Sequence, residues 1–502
     1  MIYLRLRPAE IRAITYYTGL ITSLLGVLMI VPLLTSVVLA EWKVAVDFVI
    51  SISITMSVSA VLMLLGMGGS KDLTWTQGMT AAAISYLIGM ILAAIPYAVS
   101  HHWLSFLDAS FDVMSGFTTT GLTLVQDLDH LPAGLNMWRH IISWFSGQGI
   151  IVLALTFFIR SMPGAFKLYV GEAKDERVRP NVVHTAQTIW YISLGYLGVG
   201  AVVLWIIGMC EGLPAGRGFL HALWVQMAAW STGGFAPQYQ NINYYHSFAF
   251  EIGAMVFFLL GSINFSLHWA VWTGSRRELL RNFETRTFFV TMTSLGLLAM
   301  WDLAHSGAYS GPISLFRRGF FALLSAHTGT GFTNLYSRQY VLEWDSLALL
   351  AILAAMLFGG SASSTAGGFK AVRIGVLAKA VVDDIRRLLL PDKAVIVNKF
   401  HMGRDVSLDD RMVRAALTII LLYIAVWGGA TAVSAVAGYD LISSMYESAS
   451  AVGNVGLSCG VATPAMPAYL KITYILAMWL GRLEFMAVLV LFGSIFAQIK
   501  GR

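Results

Sequence analysis

Charged residues are scarce in this chain of 502 residues: Asp, Glu, Lys and Arg make up 12% of it, whereas 57% is hydrophobic. Soluble globular domains carry roughly twice that share of charged residues. The apolar runs often exceed the ~20 residues that a helix needs to cross a bilayer. This balance excludes an ordinary soluble domain and predicts a polytopic membrane protein.

Motifs for catalysis or cofactor binding are also missing. Neither Gly-x-x-x-x-Gly-Lys-Ser/Thr nor Gly-x-Gly-x-x-Gly occurs, so any regulating nucleotide would have to bind another subunit. The histidines, among them His221, His268 and His327, are scattered and form no metal-ligand pattern such as His-Glu-x-x-His. The sequence therefore predicts that the chain has no cofactor, and it gives no support to a metalloenzyme.

Ten apolar segments are long enough to be candidate membrane spans. They lie near residues 14–40, 47–67, 76–99, 136–159, 184–210, 247–272, 286–304, 343–390 with a break, 411–437 and 468–498. The first segment follows Arg5, Arg7 and Arg12, but its apolar stretch is too long for a cleaved signal sequence. We therefore expect it to be a retained helix.

Lys and Arg are distributed unevenly between alternate loops. Most of the 33 lie in residues 1–12, 160–181, 274–286 and 370–414. The positive-inside rule places these loops and the N-terminus in the cytoplasm. The net charge of +6 is explained by this topology, so it does not argue for a nucleic-acid partner, although basic loops can contact anionic lipid.

The only two cysteines, Cys210 and Cys459, both fall near the outer face in this topology. A disulfide between them is one alternative in an oxidising compartment. Two free thiols, buried among apolar groups, are the commoner case and the one we expect.

A short unit with one glycine-containing turn occurs four times. In each copy a short apolar helix leads into the turn, and a long apolar span follows. We call residues 118–122, 231–235, 328–332 and 453–457 the four glycine turns. They superpose on Gly121, Gly234, Gly331 and Gly456. Ten residues before each glycine stand the aromatics Phe111, Trp224, Phe321 and Tyr446, and six before stand Ser115, Ala228, Ser325 and Ser450.

Ion dehydration gives a physical reason for such turns. A bare cation in a low-dielectric region costs tens of kcal/mol by the idealised Born estimate, so oxygen ligands must replace its water. Backbone carbonyls converge on an axis when the chain follows a partly left-handed path, which glycine permits. The C-terminal end of each short helix adds partial negative charge next to the turn. Four such units predict a cation pore.

The turns carry a resemblance to a known family. The chain resembles the Trk/Ktr/HKT potassium transporter superfamily, in particular its TrkH branch, because two extra helices precede the first repeat and residues 171–188 are similar to the TrkH link between repeats. The stretches similar to the family's filter and K⁺-binding residues are Thr119-Thr120-Gly121-Leu122, Thr232-Gly233-Gly234, Gly329-Thr330-Gly331 and Asn454-Val455-Gly456.

This resemblance implies an all-α polytopic membrane fold with four tandem membrane-pore-membrane repeats around a central pore. It implies two N-terminal helices in residues 1–70 and repeats in 71–182, 183–284, 285–400 and 401–502. It further implies a homodimer in the bacterial inner membrane, with the filter entrance outside. A cytoplasmic nucleotide-binding regulatory subunit of the TrkA type is the implied partner, and K⁺ is the implied transported ion.

A run of small residues interrupts the span after the third turn. Glycine is a poor helix former, and Ser and Thr compete for backbone hydrogen bonds. In the family the corresponding segment obstructs the conduction path, which implies a gate here. The implied gate residues are Gly359, Gly360, Ser361, Thr365, Gly367, Gly368 and Arg482. Ala362, Ser363 and Ala366 depart from the Gly or Pro frequent in relatives; the alternative is a close helix-packing patch.

Arg482 is an intramembrane charge, which costs at least about 2.5 kcal/mol on insertion scales unless it faces water or a partner. It resembles the family's pore arginine, which would repel a cation and bind carbonyls of the gate. An interhelical salt bridge is the alternative. Glu484 is a poor partner on a helix, because residues two apart point in different directions.

Several other residues have two open interpretations. Asp112 and Glu447 either attract cations at the pore mouth or form local hydrogen bonds. Gly147-Gln148-Gly149 and the stretch 261–264 either line a vestibule or, as we favour, serve helix packing. Arg317 and Arg318 are expected to extend outward as interfacial anchors.

Three functions, each from a different class of protein, are considered for a chain with these motifs. The first is a potassium-selective pore with a gate, and Gly121 supports it because a serine at this position in relatives is associated with Na⁺ permeation. The second is a Na⁺- or H⁺-coupled symporter, which the parallel topology of the repeats disfavours. A less selective Na⁺/K⁺ pathway is a variant of the first. A membrane enzyme would need a cluster of reactive groups at one depth, and none is visible.

Overall fold

The fold is almost entirely helical. The computed structural model describes residues 6–69, 73–149, 182–391 and 398–500, and within them the only strands form one short hairpin. Large apolar side chains such as Val38, Leu389 and Val436 are 80–82% exposed along the helices, which is a surface suited to lipid. The predicted all-α polytopic membrane fold is confirmed.

The helices of the N-terminal part and of the first glycine turn are α1 (Pro8–Leu28), α2 (Ile30–Val38), α3 (Trp42–Gly66), α4 (Trp75–Ala93), α5 (Ile95–Ser100), α6 (Phe106–Phe117) and α7 (Ala133–Gln148). Around the second turn they are α8 (Val182–Cys210), α9 (Ala215–Trp230), α10 (Phe248–Gly261), α11 (Phe265–Trp272) and α12 (Glu278–Arg281).

The third turn lies among α13 (Phe283–His305), α14 (Pro312–Leu315), α15 (Phe321–His327), α16 (Gln339–Glu343), α17 (Ser346–Phe358) and α18 (Ala371–Leu389). The fourth lies among α19 (Asp410–Val436), α20 (Leu441–Gly453), α21 (Ala468–Arg482) and α22 (Met486–Ile499). Helices α6, α9, α15 and α20 each end at a glycine turn, and we call them pore helices 1 to 4.

The two N-terminal helices α1 and α3 pack closely through small residues. A Cβ added to Gly19 would lie 2.9 Å from the carbonyl oxygen of Ser59. The hydroxyls of Thr22 and Ser59 are 2.9 Å apart. Small residues allow helix backbones to approach, and a hydrogen bond between hydroxyls adds a contact that lipid cannot replace. This pair therefore forms a firm support against which α4 packs.

The pore helices are buried where they lead into the glycine turns, whereas the first residues of α6, α9 and α20 include the exposed Phe106, Phe219 and Leu441. Their aromatic residues Phe111, Trp224, Phe321 and Tyr446 are at most 4% exposed. An ion pair between Lys471 of α21 and Asp108 of pore helix 1, 2.6 Å long, joins the last part of the chain to the first glycine-turn unit. A helix segment that is enclosed all round belongs to a protein core, so the C-terminal parts of the four pore helices lie in the interior of the molecule.

Two predicted spans bend sharply. Helices α10 and α11 meet at 101° and α21 and α22 at 112°, so the predicted spans 247–272 and 468–498 are each formed by two helices with a bend between them. At the first bend Asn264 caps α11, accepting a bond of 2.8 Å from Ser266 N. At the second, Glu484 and Phe485 have φ of 48° and 66°, which no α-helix tolerates.

The other span predictions fare better. Among the described residues six helices are long and apolar enough to cross a membrane, and eight if each bent pair counts as one. The predicted break in 343–390 is confirmed, because residues 359–370 separate α17 from α18 without helix. Residues 150–181 lie outside the described part of the chain: they include part of the predicted span 136–159, part of the stretch 171–188 and all of the basic loop 160–181.

A short β-hairpin was not predicted. Strands β1 (Lys399–Met402) and β2 (Arg404–Ser407) pair antiparallel across Gly403, whose φ is 65°. The ring of Phe400 packs on that of Phe283 with centroids 4.8 Å apart. Polar alternation over so few residues leaves a weak pattern, which explains why the sequence did not reveal it.

One histidine fastens this hairpin to α12. His401 Nε2 lies 2.9 Å from Glu278 Oε1, and His401 Nδ1 lies 3.2 Å from Asp405 Oδ1. These hydrogen bonds with carboxylates raise the pKa of His401 above its usual 6.5. The protonated imidazole therefore stabilises the hairpin.

We expect the hairpin to loosen as pH rises. A raised pKa in the folded state gives stabilisation that is complete below about pH 6.5 and is lost as pH rises through the folded-state value. Hydrogen exchange of amides 399–407, corrected for the intrinsic rate, should accelerate over that interval. The His401→Gln variant should show no such step, and a step of equal size in the variant would contradict the assignment.

Candidate functional site

The four glycine turns form a closed ring. A Cβ added to Gly121 would lie 2.6 Å from the carbonyl oxygen of Gly233 in the next turn. The other three turns repeat this contact in chain order: Gly234 meets Thr330 O, Gly331 meets Val455 O and Gly456 meets Thr120 O. Real Cβ atoms essentially never come within 3.0 Å of another heavy atom in this way. Only glycine therefore fits at these four positions.

The backbone follows one path in all four turns. In each tripeptide the first and third residues have positive φ: 53° and 97° for Thr119 and Gly121, 49° and 62° for Thr232 and Gly234. The remaining pairs are 68° and 81° for Gly329 and Gly331, and 55° and 96° for Asn454 and Gly456. The middle residue of each tripeptide is not among the residues with positive φ, so the handedness of the backbone alternates along every turn. The sequence indicated the glycine of each turn, but not the strained residue two positions earlier.

The small residue six positions before each glycine supports the turn. Ser115 O accepts a bond of 2.7 Å from Thr120 N, and Ser115 Oγ accepts one of 3.0 Å from Gly121 N. Ser450 makes the same pair of bonds to Val455 and Gly456, both at 2.9 Å. The backbone oxygens of Ala228 and Ser325 make the first bond in their turns. The turn amides are thus bonded to the pore helices.

Side chains of the turns are tied to the surrounding scaffold. Thr118 Oγ1 and Thr120 Oγ1 are 2.8 Å apart, and Asn454 Nδ2 donates to Thr120 Oγ1 at 3.2 Å. Leu122, which the resemblance placed in the filter, is 2% exposed and packs in the hydrophobic core. Neighbouring turns are therefore joined by this side-chain bond as well as by the close approach of their backbones, and Leu122 contributes packing.

Asp112 and Glu447 make local bonds. Asp112 accepts from Thr123 Oγ1 and Leu124 N, each at 2.6 Å. Glu447 accepts from Cys459 N at 2.9 Å and from Ala462 N at 3.0 Å. Of the two interpretations of these carboxylates, local bonding is the one that the contacts favour, because each holds the segment that follows its turn.

Residues 359–370 lie directly beneath the ring, and we call them the small-residue loop. The two ends of the loop lie close together, because a Cβ added to Gly368 would lie 2.8 Å from Gly359 Cα. Thr365 Oγ1 is 3.0 Å from Thr232 Oγ1 in the second turn and donates to Gly261 O at 2.8 Å. The helix-packing alternative for this stretch is therefore wrong, because no helix is present.

The bend at 261–264 receives the small-residue loop. Ser361 N donates to Ser262 O at 3.0 Å, and Phe265 N donates to Ser363 O at 3.3 Å. For Gly147, the contacts favour the interpretation of helix packing, since a Cβ on Gly147 would lie 2.6 Å from Ser231 Cβ. Broken helices thus supply the backbone groups that bond the loop at membrane depth.

Arg482 bridges three repeats beneath the ring. Its Nη1 donates to Thr119 Oγ1 at 3.1 Å and to Thr365 O at 2.8 Å. Its Nη2 donates to Ser146 O at 2.6 Å. The expected contact with a loop carbonyl is found, and none of the partners that the described residues give Arg482 is a carboxylate, so these contacts favour this interpretation over a salt bridge.

Further charges around the loop were missed from the sequence. Glu284 accepts a hydrogen bond from Ala362 N, Lys370 Nζ donates to Ala366 O, and Arg373 pairs with Glu484. Two of these contacts, Glu284 with Ala362 and Arg373 with Glu484, join segments far apart in the chain. Lys370 and Arg373 lie in the basic loop 370–414, whose positive charge the membrane topology already explained. Of these groups, Glu484 lies inside the predicted span 468–498 and so had the signal of an intramembrane charge, whereas Glu284 lies just before the predicted span 286–304.

The expectation that Arg317 and Arg318 extend outward is wrong. Arg317 does not extend outward as an anchor: it makes a bidentate pair with Glu251, at 2.8 and 2.9 Å. Arg318 Nη1 likewise turns inward, donating to Asn243 Oδ1 at 3.3 Å.

Cys210 and Cys459 are both free thiols, the first exposed and the second buried. Among the described residues no group of three or more His, Cys, Asp or Glu is arranged to hold a metal ion.

Four buried helices that end at one ring of glycine turns, within a polytopic helical fold, define a membrane ion-transport protein. A family model described as TrkH, cation transport protein, matches residues 45–499. The chain therefore belongs to the TrkH family of cation transport proteins. This membership rules out the enzyme hypothesis.

Known relatives cover the chain almost end to end. It is 31% identical over 494 residues to an uncharacterized cation transporter of Methanocaldococcus jannaschii, covering 98% of this chain and 97% of the relative. It is 28% identical to the Trk system potassium uptake protein TrkH of Escherichia coli, with coverage of 97% and 99%. The crystal structure of the potassium transporter TrkH from Vibrio parahaemolyticus matches with a TM-score of 0.82 at 25% identity, over 96% and 98% of the chains.

Substituting alanine for Gly331 is expected to abolish transport, because its Cβ would overlap the carbonyl oxygen of Val455 and a positive φ of 81° is strained for alanine. Gly428, exposed within α19 with nothing near its Cβ position, is the matched control. Alanine there should be neutral or stabilising by up to about 1 kcal/mol. Ion flux at equal reconstituted protein checks both; equal flux in the two variants would contradict the ring.

Proposed function

We propose that this chain is a potassium uptake pathway of the cytoplasmic membrane, with the glycine ring as its selectivity filter. The single observation that carries the proposal is the closed contact of the four turns through Gly121, Gly234, Gly331 and Gly456. K⁺ crosses a membrane at low cost only when oxygens replace its hydration shell. A ring of four equivalent backbone segments can supply those oxygens.

The residues we propose to bind K⁺ are Thr119, Thr120, Gly121, Leu122, Thr232, Gly233, Gly234, Gly329, Thr330, Gly331, Asn454, Val455 and Gly456. Leu122 contributes its backbone carbonyl, since its side chain packs in the core. The four pore helices end at these turns, so their C-terminal partial charges favour a cation there. K⁺ is the transported ion and not a resident cofactor.

We infer that the small-residue loop and Arg482 form the gate. The proposed gate residues Gly359, Gly360, Ser361, Thr365, Gly367, Gly368 and Arg482 lie beneath the ring or at the two ends of the loop. A guanidinium held below a dehydrated cation repels it by about 1–4 kcal/mol at 4 Å, depending on the local dielectric. Opening then requires the loop and Arg482 to move together, since Arg482 holds Thr365 O.

The relatives support K⁺ as the ion. The proteins TrkH and TrkG of Escherichia coli are named as potassium uptake proteins of the Trk system, and this chain covers nearly all of each. We propose a homodimer, with a regulatory subunit of the TrkA type bound on the cytoplasmic side. The filter entrance faces outward and the N-terminus lies in the cytoplasm, as the distribution of Lys and Arg predicts. The division into repeats at residues 70, 182, 284 and 400 belongs to the same proposal.

A coupled symporter of the same fold is the second candidate. The relatives' description as uptake proteins suits either mechanism, and Arg482 with its surrounding charges is the feature that would respond to a coupling ion. A less selective Na⁺/K⁺ pathway would share the ring as well. Flux measurements without a proton or sodium gradient distinguish these alternatives.

Rescue of a bacterium that lacks K⁺ uptake systems tests the function. Expression of this chain, with its regulatory partner, should restore growth at low potassium. In liposomes the purified protein should take up ⁸⁶Rb⁺ in competition with K⁺ and far less with Na⁺. Equal competition by Na⁺ would support the less selective pathway, and the absence of flux in both assays would reject the proposal.

Removing the charge beneath the filter should raise basal flux. We expect Arg482→Ala to increase ⁸⁶Rb⁺ uptake about five- to tenfold, because it removes both the electrostatic barrier and a bond to the small-residue loop. Arg276→Ala, at an exposed position outside the ring, controls for the loss of a positive charge. Unchanged or lower flux in the Arg482 variant at equal protein would contradict the barrier role.

A further inference from the structure

The carboxylate of Glu284, at the start of α13, binds the small-residue loop. Its Oε1 accepts a hydrogen bond of 2.5 Å from Ala362 N. The side chain of Glu284 is fully buried. Burying a carboxylate is costly unless donors compensate it, so its position beside the loop calls for a specific role.

The position of Glu284 is fixed from its own side. Asn282 caps α13 and accepts bonds from Glu284 N at 2.9 Å and Thr285 N at 3.3 Å. The preceding Phe283 packs on Phe400 of the hairpin, with ring centroids 4.8 Å apart. A Cβ added to Gly375, in the helix that leaves the loop, would lie 2.8 Å from the Phe283 ring. Glu284 is therefore held where the hairpin, α13 and α18 meet.

Charge around the loop is nearly balanced. The ammonium of Lys370, which donates to Ala366 O, interacts electrostatically with Glu284 and Glu484 as well as with Arg373 and Arg482. Glu284 thus supplies one of two negative charges near three positive ones. Removing it would leave an excess of buried positive charge and an amide without its acceptor.

We propose that Glu284 is a positioning residue of the gate: by binding the amide of Ala362 it holds the small-residue loop beneath the filter. This inference deepens the function proposed above and rests on it. Arg482 holds the loop at Thr365 from the side of the fourth repeat, and Glu284 holds it at Ala362 from the cytoplasmic start of the third. The loop leaves the conduction path only when both of these hydrogen bonds are broken.

The test combines ⁸⁶Rb⁺ flux with hydrogen exchange on the full chain in liposomes. Loss of a hydrogen bond to a charged group changes an opening equilibrium by about tenfold or more. Glu284→Ala should therefore raise basal flux and speed exchange of amides 360–364 by about that factor. Glu284→Gln, whose amide oxygen still accepts from Ala362, should show an intermediate effect, which a purely structural role would not predict.

Asp302 provides a matched control on the same helix. Its Oδ2 accepts from Ala348 N at 2.8 Å at the opposite end of α13, so Asp302→Ala removes a similar bond away from the loop. This variant should leave exchange of amides 360–364 unchanged. If it speeds that exchange as much as Glu284→Ala does, the effect is general loosening of α13 and the proposal is overturned.

A second variant guards against misfolding of Glu284→Ala. Ala362→Pro removes the donor while leaving Glu284 in place, and it should raise flux in the same direction. Glu284→Ala added to Ala362→Pro should then change flux little further. Parent-like exchange and flux in both single variants would reject the inference. If the unmodified protein carries no Rb⁺ flux, the proposed function fails, whereas the exchange result still decides the role of Glu284.

Discussion

The close approach of four backbone turns is the constraint on which the rest of the structure depends. At Gly121, Gly234, Gly331 and Gly456 a side chain would overlap a carbonyl oxygen of the next turn, so the ring closes only with glycine. The amides of such turns find few hydrogen-bond acceptors within the turn itself. The pore helices supply an acceptor to each turn, at the residue six positions before its glycine. Because those helices must then be enclosed, their aromatics are buried on all sides. The composition of the four units follows from this geometry.

A second layer lies beneath the ring and is built from interrupted helices. The bends after Gly261 and Arg482 and the small-residue loop expose backbone groups at membrane depth, where none can be left without a partner. Those groups bond across repeats: Gly261 O accepts from Thr365, and Ser146 O accepts from Arg482. Interrupting the spans therefore costs few hydrogen bonds, and it places polar backbone and the guanidinium of Arg482 directly under the ring. In the function proposed above, the ring binds ions and this layer opposes them.

Sequence patterns predicted the ring and the break in the third unit because both have local causes: a glycine at fixed spacing and ten consecutive small residues. The stretch 261–264 was singled out in the sequence, but the sharp bends at 262–264 and 483–485 were not predicted, since their apolar flanks continue the pattern of an unbroken span. The ion pair of Arg317 with Glu251 and the hydrogen bond from Ala362 N to Glu284 join residues 66 and 78 positions apart. No local pattern tells which distant group will satisfy a buried charge. Arg317 was accordingly mistaken for a surface anchor and Glu284 was overlooked.

Ion density at the ring tests the central claim most directly. A crystal of the protein soaked in Rb⁺ or Tl⁺ would reveal the ion by its anomalous scattering. The account predicts a peak on the axis enclosed by the four glycine turns, at ligand distance from the carbonyls of Thr120, Gly233, Thr330 and Val455. Peaks only at other places in the protein, in crystals of protein that transports Rb⁺, would contradict it.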